Sequence, residues 1–187
     1  MQNLAGRNGK SIEYDCKRAA QKLGIPVIYA QSVKSEQVYK DLSFFEPDYI
    51  LALFFNQLVP KEICALAKKK ALNIHPSFLP SYRGVSPCFW ILAEGRPLAG
   101  VTVHELGDKL DGGEVVARLP VAVKKNDSVF TLYRRCARVA ADLAVEVLVT
   151  GRGPVATLPI ESSYRSSITC EAVRAFRRKK RRFFLFF

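Results

Sequence analysis

Asn73 and His75 stand two residues apart at the end of a short apolar segment. If Ala71 to His75 is a strand, both side chains leave the sheet on the same face and point at one spot. Pro76 and Pro80 stop the strand from continuing, and Tyr82, Arg83 and Gly84 read as a rigid, exposed return toward the next element. Further on, Leu110, Asp111, Gly112 and Gly113 form a short glycine-flanked loop. An amide, an imidazole and a carboxylate could meet there around one reacting carbonyl. Taken singly, each has an ordinary reading: a hydrogen-bonded histidine at a strand end, a turn-forming asparagine and an Asp-Gly turn.

The elements that would position these residues alternate between strand and helix, which argues for an α/β sheet with crossovers. Ile12, Cys16, Ala19, Ala20 and Leu23 recur at helical spacing, Gly24 ends that helix, and Ile25 to Tyr29 reads as a strand. Ser35 caps a second helix carrying Val38 and Leu42. Tyr49 to Phe55 is continuously apolar, as expected for a strand buried on both faces of a parallel sheet. Pro60 suits the first turn of a helix that buries Ile63, Leu66 and Ala67, and the strand ending at His75 follows. Pro87 opens a helix that stops at Gly95, and Gly100 to Glu105 and Glu114 to Leu119 read as strands around the Asp111 loop. Asp127 or Ser128 caps the longest helix, whose Leu132, Cys136, Val139, Leu143 and Val147 form one apolar face before Gly151. Ser162 to Ser167 reads as loop before a short helix near Glu171.

Composition narrows the function. With 187 residues, 49% of them hydrophobic, the chain can bury a full core unaided by disulfides or metal. No apolar run approaches the ~20 residues of a membrane span, and no signal-peptide core follows Met1, so the cytoplasm is the default compartment. The five cysteines lack any Cys-x-x-Cys pair, and His75 and His104 are too few and too scattered for a zinc cluster, so no metal is expected. Of the net charge of +12, seven positive charges fall between Arg174 and Arg182, leaving +5 for the rest. That segment reads as a solvated, partly disordered tail, or else as an arm making polyanion contacts, RNA among them. Its closing Phe183 to Phe187 could alternatively rest on a membrane surface. Gly6 to Ser11 imitates a phosphate-binding loop, but Leu4 stands where that loop needs glycine and no strand precedes it.

The spaced matches, taken together, resemble the formyltransferase family that uses 10-formyltetrahydrofolate. The family pattern Asn-x-His-Pro-Ser-Leu-Leu-Pro, then Arg-Gly, then Leu-Asp-Thr/Gly-Gly, is met at Asn73, His75, Pro76, Ser77, Leu79, Pro80, Arg83, Gly84, Leu110, Asp111 and Gly113. Phe78 replaces the family leucine. The likeness runs from about Ala5 to about Gly151, and Gly6 to Lys10 is similar to the basic loop of methionyl-tRNA formyltransferases.

The resemblance implies a Rossmann-like α/β formyltransferase domain over residues 1–156, with a mostly parallel sheet and helices on both faces, its first strand-helix-strand absent. Residues 157–187 would be an irregular segment, a short helix and the basic tail. It implies formyl transfer from 10-formyltetrahydrofolate to an acceptor amine, with methionyl-tRNA the leading acceptor and an amino sugar nucleotide or other small amine its rival. A hydrolase of formyltetrahydrofolate and an inactive polyanion-binding homologue are the alternatives. For the residues it implies Asn73 and a protonated His75 as donors to the carbonyl oxygen, and Asp111 as the group that keeps His75 charged and takes the amine's proton. Leu53, Phe54, Phe55, Gln57, Leu58 and Val59 would border the folate, and Ser77 and Arg83 the acceptor. Asn56 stands where many relatives carry glycine.

Overall fold

The computed structural model describes residues 16–55 and 57–184; the Gly6 to Ser11 loop, Ile12 and Asn56 lie outside the described residues. In chain order the elements are α1 (16–22), α2 (Glu36–Phe44), β1 (Tyr49–Leu53), α3 (Lys61–Cys64), β2 (Lys70–His75) and β3 (Arg83–Gly84). There follow α4 (Pro87–Glu94), β4 (Leu98–Glu105), β5 (Val115–Ala122), α5 (Val129–Thr150), β6 (Tyr164–Arg165) and α6 (Cys170–Arg178). The main sheet runs β1-β2-β4-β5, and β3 pairs with β6 in a second, two-stranded sheet. β1 and β2 are parallel, while β4 is antiparallel to both β2 and β5. Three strands of the main sheet therefore share one direction, and β4 alone is reversed.

Strand alternation splits the sheet into two faces with different tasks. Leu72 and Ile74 of β2 and Val101 and Val103 of β4 face the larger core, where they meet Phe89 and Leu92 of α4 and Leu132, Cys136 and Leu143 of α5. On the other face Asn73 lies opposite both Ala52 and His104, and His75 lies opposite Thr102. Ala52 belongs to a smaller core with Val59 and Ile63, against which Val38 and Leu42 of α2 pack. Helices thus cover both faces, and the polar residues of β2 emerge beside α3.

The helix boundaries follow local chemistry. Ser35 Oγ accepts from the N–H of Val38 at 3.3 Å, and Gly95 and Gly151 end α4 and α5 in the left-handed conformation. Ser128 opens α5 with a capping box, its hydroxyl accepting from Thr131 N at 3.1 Å while Thr131 Oγ1 accepts from Ser128 N at 2.9 Å. Ser128→Ala should lower unfolding stability by about 1 kcal/mol, readable as a fall in the urea midpoint at unchanged slope.

Two expectations about strands need correction. Residues 25–29 form no strand, because among the described residues nothing pairs with them and a lone strand leaves its ladder groups unsatisfied. Among the described residues β1 is an edge strand rather than one buried on both faces, and Leu53 is 54% exposed.

The basic segment also differs from a solvated, disordered tail. Phe176 of α6 is buried with its ring 5.0 Å from Phe89, and Phe183 stacks on Phe89 at 5.7 Å. The carbonyls of Arg182 and Phe183 accept from Val129 N at 2.9 Å and Phe130 N at 3.1 Å, satisfying donors that the first turn of α5 cannot satisfy itself. Aromatic burial and backbone pairing hold the segment to the body as far as residue 184.

Candidate active site

Three separate stretches supply the polar cluster. β2 contributes Asn73 and His75, β4 contributes His104, and the connection between β4 and β5 contributes Asp111. Asp111 Oδ1 accepts from Asn73 Nδ2 at 3.2 Å and lies 3.4 Å from His75 Nδ1 and 3.6 Å from His104 Nε2. Its other oxygen accepts from the backbone N–H of Gly84 at 2.8 Å. All four side chains are buried, Asp111 within a turn whose φ of 50° is left-handed, a conformation that aspartate tolerates better than most residues. The structure therefore brings together Asn73, His75 and Asp111, the three residues expected to meet.

Hydrogen placement follows from partners that can only accept. The Glu105 carbonyl, 2.8 Å from His104 Nδ1, requires the hydrogen on that nitrogen, which leaves His104 Nε2 to accept from Asn73 Nδ2 at 3.1 Å. The Tyr82 carbonyl, 2.9 Å from His75 Nε2, likewise requires a hydrogen there. Both amide hydrogens of Asn73 and the Nε2 hydrogen of His75 are then occupied within the cluster.

Charge follows from burial. Desolvation pushes His75 below the ordinary histidine range; the Asp111 charge and the Tyr82 carbonyl oppose it without prevailing, and His104 reinforces it. The expectation of a protonated His75 is thus corrected: at neutral pH the ring is neutral. Burial would raise the Asp111 carboxyl, but His104 and His75, whenever either ring carries its second proton, and the Gly84 N–H outweigh this and hold it below the usual carboxylate range. Asp111 is ionised beside a neutral imidazole.

Both shifts are depressions, so in each case the unfolded chain takes up the proton first and stability is lost as pH falls. The His75 contribution is complete above the unfolded value of about 6.5 and declines below it, and that of Asp111 declines below about 3.9. The urea midpoint should fall between pH 7.5 and 5, and His75→Asn should flatten that part of the profile.

The loop after β2 is held by residues that sequence reasoning missed. Thr102 Oγ1 donates to Ser77 O at 2.8 Å and accepts from Leu79 N at 3.1 Å. Arg118 of β5 donates to the carbonyls of Leu79 and Ala156, with its guanidinium 4.4 Å over the Phe78 ring. From the other side, Tyr82 N donates to Ser163 Oγ at 2.8 Å and Arg83 N to Ser163 O at 2.9 Å, through the β3–β6 pairing. The segment expected to be loop between Ser162 and Ser167 thus contains β6. For His104 a usable signal existed, since alternation along Gly100 to Glu105 sets Thr102 and His104 on one face; the two histidines are neighbours of one carboxylate rather than scattered.

The remaining candidates fare differently. Ser77 is fully buried and donates its hydroxyl to Ser81 O at 2.7 Å, so it ties the loop together and has no surface for an acceptor. Arg83 is half-buried, and its Nε has no hydrogen-bond partner among the described residues. Leu53, Phe55 and Leu58 are exposed at the carboxyl end of β1, Phe54 packs on Tyr133 at 4.6 Å, and Val59 lies in the smaller core. Gln57 accepts from Val33 N at 3.0 Å and donates to Gln31 O at 3.3 Å, anchoring the segment before α2. Of these six, Phe54, Gln57 and Val59 are thus committed to contacts within the fold, and Leu53, Phe55 and Leu58 stay on the surface. Among the described residues no helix is long and apolar enough to cross a membrane.

A Rossmann-like α/β sheet carrying an amide, imidazole and carboxylate at the carboxyl edge of its strands defines a class of proteins that bind ligands at that edge. The chain belongs to the formyl transferase family, whose defining pattern matches residues 2–148. It is 34% identical over 132 residues to a methionyl-tRNA formyltransferase of Natranaerobius thermophilus, covering 71% of this chain and 42% of that one. With the methionyl-tRNA formyltransferase of Geobacillus thermodenitrificans it shares 31% over 173 residues, 90% of this chain and 54% of the relative. The chain thus spans about half the length of these relatives. Among solved structures, phosphoribosylglycinamide formyltransferase from Streptococcus pneumoniae superposes with a TM-score of 0.64 at 20% identity, over 72% of this chain and 78% of the other. HypX from Aquifex aeolicus, solved in complex with tetrahydrofolic acid, gives 0.54 at 24%, over 72% and 23% of the two chains. At these identities the structural likeness speaks for the fold alone.

Proposed function

We propose that this chain carries a 10-formyltetrahydrofolate-dependent formyl-transfer site acting in the cytoplasm, with methionyl-tRNA as the acceptor amine. The observation that carries the reading is Asp111 Oδ1 lying within 3.4 Å of both the Asn73 amide and the His75 ring. Family membership and the names of the two relatives support the donor and the acceptor. An amino sugar or another small amine is the rival acceptor, since one cluster serves any unprotonated amine.

In the transfer, the acceptor nitrogen forms a bond to the formyl carbon while the bond from that carbon to the folate nitrogen breaks. Negative charge gathers on the formyl oxygen between these events, and donors already aimed at it lower the barrier. The Asn73 amide hydrogen now given to Asp111 and the Nε2 hydrogen of neutral His75 now given to the Tyr82 carbonyl are the two donors that would turn to that oxygen when the formyl group is bound. Asp111, ionised at neutral pH, accepts the proton that the attacking amine must lose and passes it to the departing folate nitrogen. Leu53, Phe55 and Leu58 offer apolar surface near the strand ends for the pterin, and the unpartnered Nε of Arg83 offers a donor to the acceptor.

The test is conversion of 10-formyltetrahydrofolate to tetrahydrofolate by the full chain, with and without methionyl-tRNA. Turnover should depend on the acceptor, and Asn73→Ala should lower it by about 10²–10³, the usual cost of one oxyanion donor. Formate release without an acceptor would instead identify a hydrolase, and unchanged turnover in the variant would remove Asn73 from the chemistry.

A further inference from the structure

Among the described residues a concentration of unpaired positive charge lies on α6, on the sheet face opposite Asn73 and His75. Arg174, Arg177 and Arg178 are exposed, form no ion pair among the described residues, and line an open concavity of about 660 Å³. Helical spacing sets them on the solvent side, away from Ala172 and Phe176, which are buried in the core. Arg181 extends the surface by donating to the carbonyls of Lys124 at 3.0 Å and Lys125 at 2.6 Å, which fixes that exposed dilysine turn beside the end of α6. Glu171, one turn before Arg174, is the only carboxylate in the helix.

Basic residues in a last helical turn complement the helix dipole, and Arg177 and Arg178 suffice for that. The dipole gives no reason for Arg174, nor for the exposed Lys124-Lys125 turn before α5 that Arg181 ties to the end of α6. Mutual repulsion of these groups costs stability unless an anion spans them.

We infer that this surface docks the phosphate backbone of a nucleic acid. A bilayer is the other extended anion, but a helix that lies on lipid needs a free apolar face to sink into it. Here the apolar face of α6 is spent on Phe89 and the α4–α5 core, and Phe183 is stacked beneath it. What remains outward among the described residues is an array of guanidinium and ammonium groups with no apolar wedge, which suits a repeating phosphate chain. The inference does not depend on which amine accepts the formyl group, or on formyl transfer at all.

The test uses the full chain and a fluorescent 20-nucleotide polyuridylate, with anisotropy read across a potassium chloride series. The triple variant R174Q/R177Q/R178Q should weaken binding at least tenfold near ~0.1 M salt, and the slope of log affinity against log salt should become shallower by about 2, the loss of three phosphate contacts on a single strand. R174K/R177K/R178K should retain the slope. The control K22Q/K34Q/K40Q, which removes the same charge from exposed lysines elsewhere, should bind nearly as the parent does. Unfolding midpoints of all variants report whether they fold; should the arginine variant not fold, K124Q/K125Q replaces it, with a slope shallower by about 1. Equal losses in the α6 variant and the control, or no loss in either, would overturn the inference. Binding to phosphatidylserine vesicles by a parent chain that ignores the RNA would overturn it as well.

Discussion

Asp111→Asn should lower formyl-transfer turnover by about 10²–10⁴, the span attributed to a positioned acid–base group. The substitution keeps the shape and leaves one carbonyl oxygen able to accept from Gly84, so the loop stays in place. It removes the charge and turns an acceptor into a donor where Asn73 Nδ2 already points, 3.2 Å away. The structural cost of that mismatch is on the order of 1–3 kcal/mol. Turnover measured well below the unfolding transition separates the two effects, and the deficit should lie in kcat with KM little changed if buried Asp111 has the proposed role in proton transfer rather than in binding. A loss confined to KM would assign Asp111 to substrate binding.

Gly113→Ala should be among the most damaging single changes to stability. A Cβ at this position would stand 1.8 Å from the Glu105 carbonyl oxygen and 2.8 Å from its carbon, and these are backbone atoms that cannot swing aside. The same oxygen accepts from His104 Nδ1 at 2.8 Å, so relieving the clash pulls on the ring that orients Asn73. A loss of about 4 kcal/mol or more is expected, the range reserved for strain of this kind, with turnover falling even at temperatures where the variant stays folded. Gly107→Ala in the same connection meets nothing within 4 Å and should change the urea midpoint little. A similar response from both alanines would show that the tight packing of Gly113 does not matter.

How much of this was legible in the sequence depends on whether the deciding interaction is local. Ser35, Ser128, Gly95 and Gly151 act on their own helices, and each ends or begins a helix where its chemistry says it should. The meeting of Asn73, His75 and Asp111 was legible through the family resemblance and the strand alternation, because two residues share one strand and the third sits on a glycine-flanked loop. What was not legible depends on register and burial. His104 joins the cluster only because β4 pairs antiparallel with β2 in the register that sets it against Asn73. The neutrality of His75 follows from desolvation, which no spacing reveals, and a reading of charges alone gave the opposite answer. Ile25 to Tyr29 has the composition of a strand but no partner among the described residues, and a strand is a property of two segments. The basic run misled through its composition, since Phe176 and Phe183 outweigh the surrounding charge by stacking on Phe89.

The central claim is that Asn73 and Asp111 act on the formyl group as parts of one cluster, and a double-mutant cycle on turnover addresses it most directly. Asn73→Ala and Asp111→Asn each disrupt the shared contact, so the double variant should be no more than about threefold slower than the slower single, as for groups that work as a unit. Losses that multiply in the double variant, or singles that turn over as fast as the parent chain, would contradict the account.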